Sequence, residues 1–296
     1  MHIRRFRPSL LIIGVFLISG CVTPGPELSV TIEDHTVSFE RIDAAIAALG
    51  DKYGADDVLV VLDIDNTIMT TAVDLGGDVW YQWQRKGLEV KPSDEQIVDC
   101  LFEDAIGLLY ELGPMRLTDD SLPAKVRAWQ DRGNTVFALT SRSPKYRAAT
   151  ERELTRLNID FTRTPLAAAG KPAPVLREMA ASEWSYMQGI MMTTGMNKGT
   201  MLTSLLDRTG QQFSAIVFVD DTRRHVDDVF TTYQVSQQAE VRIFHFTKIE
   251  AERERAYGRV LTEEQVEKMA TDWETLNTTL NTIFPARELS SECLGD

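Results

Sequence analysis

Two pairs of aspartates stand where the chain could do chemistry. Asp63 and Asp65 close the apolar run Val58-Leu59-Val60-Val61-Leu62, and Asp220 and Asp221 close Ala215-Ile216-Val217-Phe218-Val219. Both runs are short and rich in β-branched residues, which fits strands buried on both faces in a parallel sheet rather than amphipathic helices. In a strand, positions i and i+2 share a face, so Asp63 and Asp65 should project together from the carboxyl end, where open α/β sheets bind ligands. Carboxylates held that close repel unless a cation or a shared proton compensates them. Burying them costs several kcal/mol per ion unless they are neutralised. A set of oxygen donors alone selects a hard cation that keeps some of its water, most simply Mg²⁺.

Two further residues suit an anionic partner. Thr140 ends a third apolar run, Thr135-Val136-Phe137-Ala138-Leu139-Thr140, and Ser141-Arg142-Ser143-Pro144 then turns into a basic helix. A hydroxyl there, beside free backbone N–H groups at a helix start, fits a phosphate oxygen. Lys198 lies between a strand expected over 189–194 and a short helix expected over 201–206. Lys171, in Gly170-Lys171-Pro172, is the rival cation. Lys198 is preferred because its helix leads into the last acidic strand, whereas Lys171 sits in a Pro-rich loop.

Asp-x-Asp-x-Thr after a strand, a strand ending in Thr, a lysine before a helix and an Asp-Asp pair occur here in the order of the four motifs of the haloacid dehalogenase (HAD) superfamily. The chain resembles that superfamily from about Val58 to Phe246. The resemblance implies an α/β, Rossmann-like core with a mainly parallel central sheet flanked by helices. It also implies a Mg²⁺-dependent phosphomonoester hydrolase, with a phosphomutase as the alternative within the superfamily. Asp63 would be the nucleophile that forms an aspartyl-phosphate, and Asp65 the general acid and base. Thr140 and Lys198 would cradle the phosphate of a small phosphorylated substrate. Asp63, the Asp65 main-chain carbonyl and Asp221 would hold Mg²⁺, while Asp220 holds bound water or orients its neighbour. An aspartate at position 65 points away from the dehalogenases and the transport ATPases. The whole chain looks closest to phosphatase-like bacterial lipoproteins with the same Asp-Ile-Asp-Asn-Thr motif, a branch that implies no particular substrate. A catalytically silent module that keeps the metal cradle is the alternative from another class, and the intact Asp65 argues against it.

Nearly seventy residues separate Thr67 from the next buried strand, too many for a plain connection, so that stretch must have structure of its own. Its position resembles the C1 cap of HAD enzymes, which divides the chain into a core over 37–68 and 121–286 and a small helical cap over 69–120. Gly76-Gly77-Asp78 reads as a turn and 93–112 as a helix. Trp80, Tyr81 and Trp83 cluster; a cap this small needs them for its own core before any substrate could stack on them. Elsewhere, Ser38 should cap a helix over 39–49 that Gly50 ends, 121–132 should be a core helix, 241–246 a strand and 262–283 an amphipathic helix. Arg223, Arg224, His225, Asp227 and Asp228 read as a helix turn with solvent-facing charges, and 287–296 as a loose tail.

The amino terminus carries Arg4, Arg5 and Arg7, then an apolar run over 10–18, then Ser19-Gly20-Cys21. Residues 1–20 read as a secretory signal whose apolar core is too short to span a membrane. Ile18-Ser19-Gly20-Cys21 resembles the bacterial lipobox, which implies lipidation of Cys21 and membrane attachment through acyl chains. Val22, where an Asp would resemble an inner-membrane retention signal, points to the outer membrane, facing the periplasm. Residues 21–36 would be the tether. Loss of the first twenty residues removes three arginines and no acid, taking the net charge from −13 to −16. So acidic a chain has no basic footprint for nucleic acid. Cys100 and Cys293, in a helix and a tail, are expected unpaired although the periplasm would permit a disulfide. The histidines are scattered without zinc spacing, and the oligomeric state is not legible.

Overall fold

The computed structural model describes residues 28–289 and Cys293. The expected signal sequence, Cys21 and the first part of the expected tether, through residue 27, lie outside the described residues. Among the described residues the strands are β1 (Val30–Thr36), β2 (Val58–Leu62), β3 (Met69–Thr71), β4 (Met115–Leu117), β5 (Thr135–Thr140), β6 (Leu176–Met179), β7 (Glu183–Met187), β8 (Ile190–Met192), β9 (Ala215–Asp220) and β10 (Glu240–Phe246). The α-helices are α1 (Phe39–Tyr53), α2 (Asp78–Gln84), α3 (Ile106–Leu112), α4 (Leu122–Asp131), α5 (Arg147–Arg156), α6 (Lys198–Thr209), α7 (Arg223–Ser236), α8 (Lys248–Tyr257), α9 (Glu263–Ile283) and α10 (Ala286–Leu289).

Eight strands make one sheet in the order β1-β10-β9-β2-β5-β8-β7-β6, and β3 pairs with β4 apart from it. From β1 to β8 all neighbours run parallel; β7 and β6 extend the sheet as an antiparallel hairpin. The fold is thus α/β with a mostly parallel central sheet flanked by helices. Every residue of β2 is buried, and alternation along the strand sends side chains to two cores. Val58, Val60 and Leu62 face α1, α4 and the insertion, whereas Leu59 and Val61 face α6 and α7.

Several boundaries differ from expectation for identifiable reasons. The segment expected as a tether includes β1, which lays its backbone along β10 with Val30 opposite Val241. Helix α1 runs through Gly50, a tolerable cost of about 1 kcal/mol, and stops at Gly54, whose φ of 97° no L-residue adopts readily. The helix expected over 93–112 is broken. Ser93 and Gln96 form a capping box, but the Gln84 side chain then accepts from the Val98 N–H and donates to the Gln96 carbonyl, both at 2.9 Å. Those bonds draw the chain out of the helix until a π-helical turn over Leu101–Ala105 leads into α3. Helix α6 begins three residues earlier than expected because Asn197 caps it.

Trp80 and Trp83 are fully buried, and Trp80 packs on Trp273 of α9 at 5.9 Å between ring centroids. They form part of the core under the insertion rather than an open platform. Cys100 and Cys293, expected to be free, are joined by a disulfide. The 21 residues of α9 span about 30 Å and carry the chain end back to the insertion, so a separation of 193 residues becomes 5.6 Å between Cα atoms. Among the described residues, no helix is long and apolar enough to cross a membrane.

Candidate active site

The register of the parallel strands brings the acidic pairs together. Leu62 lies beside Val219 on one side and Ala138 on the other, so β9 ends one residue and β5 two residues past the end of β2, all at the same edge of the sheet. The Asp63 N–H continues the ladder by donating to the Val219 carbonyl at 2.8 Å. Lys198, the first residue of α6, reaches into this edge. Its ammonium donates to Asp63 Oδ1 and, at 2.6 Å, to Asp220 Oδ2, with the lysine and Asp220 wholly buried. Gly199 allows that reach: a Cβ there would lie 2.6 Å from the Asp228 carbonyl oxygen of α7, so no larger residue lets the two helices approach. Lys171 is exposed in its loop and forms no ion pair among the described residues.

Both oxygens of Asp220 are occupied by protein groups. Oδ1 accepts from the Thr222 N–H at 2.9 Å and lies 3.2 Å from His225 Nδ1. On the far side of the ring, His225 Nε2 is 3.1 Å from Ser141 Oγ and 3.0 Å from Arg224 Nη2. Burial, then the nearby Lys198 charge, holds the imidazole below its ordinary pKa despite Asp220. The Arg224 N–H can only donate, which assigns the ring hydrogen to Nδ1, facing Asp220. Burial opposes ionisation of Asp220, yet Lys198 and His225 outweigh it and keep the carboxyl below its usual range. Asp220 therefore fixes Lys198 and His225, and it is the poorer candidate for direct metal ligation.

Asp65 turns to the other wall of the site. Its two oxygens accept a forked pair of bonds from Arg142, at 2.8 Å from Nε and 2.7 Å from Nη2. The buried Arg142 also donates to Thr150 at 2.9 Å and stacks 4.0 Å from the ring centre of Tyr110, which belongs to α3 in the insertion. Thr140 is buried at the end of β5, and its hydroxyl accepts from the Arg142 N–H at 3.1 Å. Sequence reasoning missed Arg142 and His225. The signal for each was slight: an arginine two residues beyond the Thr140 strand end, and a histidine in the first turn after Asp220.

Asp63, Asp220 and Asp221 each offer an oxygen within 4.8 Å of the others. Burial raises the Asp63 carboxyl to about 8 against the pull of Lys198, with Asp220 and Asp65 adding to the rise. Asp221 is pushed well above the carboxylate range, by burial first and then by Asp78, Asp63 and Asp220. Asp63 Oδ2 accepts no hydrogen bond among the described residues. Crowded carboxylates that resist ionisation, an unengaged oxygen and an all-oxygen donor set fit a divalent cation of the Mg²⁺ type.

Residues 35–285 match the model of the family described as "Protein of unknown function (DUF2608)". The chain belongs to that family. Two relatives are a "Putative outer membrane protein" of Chlamydia trachomatis, 20% identical over 168 residues, and one so named from Chlamydia pneumoniae, 22% identical over 179 residues. These alignments cover 56% and 59% of this chain and 60% and 63% of the relatives, so the chain spans about three fifths of the curated relatives it matches. Among solved structures, the class C acid phosphatase from Bacillus anthracis aligns at a TM-score of 0.35 and 13% identity, over 79% of this chain and 86% of that one. Its tungstate-bound form aligns at 0.34 and 15%, over 79% and 85%.

Proposed function

We propose that this member of the DUF2608 family is a HAD-type, Mg²⁺-dependent phosphomonoester hydrolase that works through an aspartyl-phosphate in the bacterial cell envelope. One observation carries the reading: Asp63 presents an unengaged carboxylate oxygen at the sheet edge where β2, β5 and β9 end, with Lys198 buried against its other oxygen. Asp63 Oδ2 attacks phosphorus as the bond to the leaving oxygen breaks, and attack by water on the aspartyl-phosphate then frees phosphate. Lys198 and Thr140 offer N–H and O–H donors to the equatorial oxygens in a preformed, water-poor setting. The Asp63 and Asp221 carboxylates and the Asp65 carbonyl would hold Mg²⁺, which when bound neutralises charge on the transferring phosphoryl group. The lipobox-like Cys21 and the outer-membrane names of the relatives support an envelope location, with attachment through lipid.

Asp65 is the acid and base of this scheme, and the structure adds a condition. Both its oxygens accept from Arg142, so Asp65 must release at least one of those bonds before it can hand a proton to the leaving oxygen. An arriving phosphate dianion competes for the same guanidinium fork. The Asp65–Arg142 pair is also the one feature that favours the silent binding module, in which it would stay closed.

Phosphate release from an aryl phosphate by the purified protein separates the two readings. Turnover should require Mg²⁺ and vanish with excess chelator, and Asp63→Asn should fall to background while its thermal unfolding stays cooperative. Full activity in chelator, or in Asp63→Asn, would reject the mechanism.

A further inference from the structure

A fifth aspartate enters the site from the insertion. Asp78, the first residue of α2, is half-buried, and its Oδ2 accepts from Asn66 Nδ2 at 3.0 Å and from Gln82 Nε2. Asn66 follows Asp65 directly in the loop, has a positive φ of 54°, and is itself fixed by Thr70, which donates to Asn66 Oδ1 at 2.8 Å. Asp78 is thus tied both to the Asp-Ile-Asp-Asn-Thr loop, through Asn66, and to its own helix, through Gln82. The turn that delivers it leaves no room for variation. Gly76 has a φ of 79° and a Cβ there would lie 2.7 Å from Leu109, while a Cβ on Gly77 would lie 2.2 Å from Thr71 Oγ1. Asp78 Oδ1 accepts no hydrogen bond among the described residues.

The bond to Asn66, the residue after Asp65, places Asp78 beside the acidic cluster. Burial, then the charge of Asp65, raises its carboxyl to about 7, and Asp78 in turn helps to raise Asp221. Asp63, Asp65, Asp78, Asp220 and Asp221 are set against two permanent cations, Lys198 and Arg142, and each of those is already committed to one or two of the carboxylates. A divalent cation on Asp63 and Asp221 compensates part of the excess, and the phosphate dianion of a substrate restores it. A leaving group with a further negative charge would be repelled at Asp78, whereas a positive one would be drawn there.

We propose that Asp78 is a specificity-determining residue that selects phosphomonoesters whose leaving group carries a protonated amine close to the ester oxygen. The proposal rests on the phosphatase reading above. The free Oδ1 receives the ammonium N–H, Asn66 and Gln82 hold the carboxylate in place, and the interaction acts on substrate binding more than on the chemical step.

Steady-state kinetics on four small substrates test it: ethanolamine phosphate, glycerol phosphate, ethyl phosphate and phosphoglycolate, which carry an ammonium, a hydroxyl, no polar group and a carboxylate. With the wild type in Mg²⁺, kcat/KM for ethanolamine phosphate should exceed that for ethyl phosphate and phosphoglycolate by at least about tenfold, a step worth about 1.4 kcal/mol. In Asp78→Asn that ratio should fall toward one, with the change in KM rather than kcat, and Asp78→Lys should shift preference toward phosphoglycolate. If neither variant folds, the wild-type panel decides alone. A wild type indifferent to the ammonium, one that prefers glycerol phosphate, or an Asp78→Asn variant with its preference intact overturns the proposal and leaves the phosphatase reading standing. No turnover of any phosphoester overturns both.

Discussion

At the residue scale, the site is a set of forced partnerships, and under the proposed mechanism Asp65 with Arg142 is the one that must open for proton transfer. Asp65→Asn keeps the backbone carbonyl and loses the proton relay, which typically contributes about 10²–10⁴-fold. On an alkyl phosphate, kcat should fall within that range. On an aryl phosphate, whose leaving oxygen needs little protonation, the loss should be at least tenfold smaller, and acid quenching should trap phosphate on Asp63. Arg142→Lys loses the planar fork and should raise KM about 10–100-fold, as expected for one charge-assisted contact. Equal losses for Asp65→Asn on both substrates would show that Asp65 acts only in support of Arg142. Asp63, Asp65, Thr140, Asp220 and Asp221 could be picked out in the sequence because a strand end is a fixed place; the two-residue period that should have set Asp63 and Asp65 on one face does not reach them, because β2 stops at Leu62 and Asp65 turns away to Arg142. Arg142, His225 and Asp78 could not be picked out, because each acts by reaching across from another element.

At the element scale, the central parallel strands were legible from their apolar, β-branched runs, and the long helix α9 from its periodicity; its capping Thr262 was not read. The edges were harder. Strand β1 and the hairpin β7-β6 lack the unbroken apolar runs of the central strands; β1 and β6 are half-exposed, and the buried centre of β7 is interrupted by Ser185. The insertion was misread where one glutamine side chain, Gln84, outweighs a good helix start. Element ends are also where charge holds the fold together. Glu240, at the start of β10, accepts from Lys52 at 2.7 Å and Tyr53 at 2.9 Å at the end of α1, and from Arg242 at 2.9 Å. Burial opposes its ionisation, but these three partners outweigh it and hold the carboxyl below the ordinary glutamate value of 4.5. A depressed folded pKa gives stability that is fully present above the unfolded value and is lost as pH falls through the folded one. Glu240→Gln should therefore be less stable than the wild type at pH 7, by on the order of 1 kcal/mol. The gap should close below pH 4.5, read from urea midpoints at both pH values; a gap that persists in acid would mean that packing, not charge, is lost.

At the scale of the whole molecule, the insertion is held from two sides. The β3-β4 pair and α3 tie it to the core beside the Asp-Ile-Asp-Asn-Thr loop, and the Cys100–Cys293 disulfide together with the Trp80–Trp273 contact ties it to the end of the chain. The pairing escaped sequence reading because it depends on where α9 ends in space. A cross-link that closes a loop of this length restricts the unfolded chain strongly, and removing a native disulfide typically costs about 2–5 kcal/mol. An oxidising envelope compartment would allow the bond to persist. Cys100→Ser, Cys293→Ser and the double variant should lose the same stability, since each removes one shared bond, and reductant should bring the wild type down to their level without moving them. Because Tyr110 of the insertion packs on Arg142, a looser insertion should also weaken the grip on Asp65, so the same variants should raise KM by a few-fold while kcat changes little. Denaturant midpoints with and without reductant, alongside a thiol count by mass spectrometry, measure the first effect, and steady-state kinetics the second. Additive losses in the double variant, or two free thiols in the wild type purified without reductant, would refute the cross-link; an unchanged KM would show that the insertion holds Arg142 without help from the chain end.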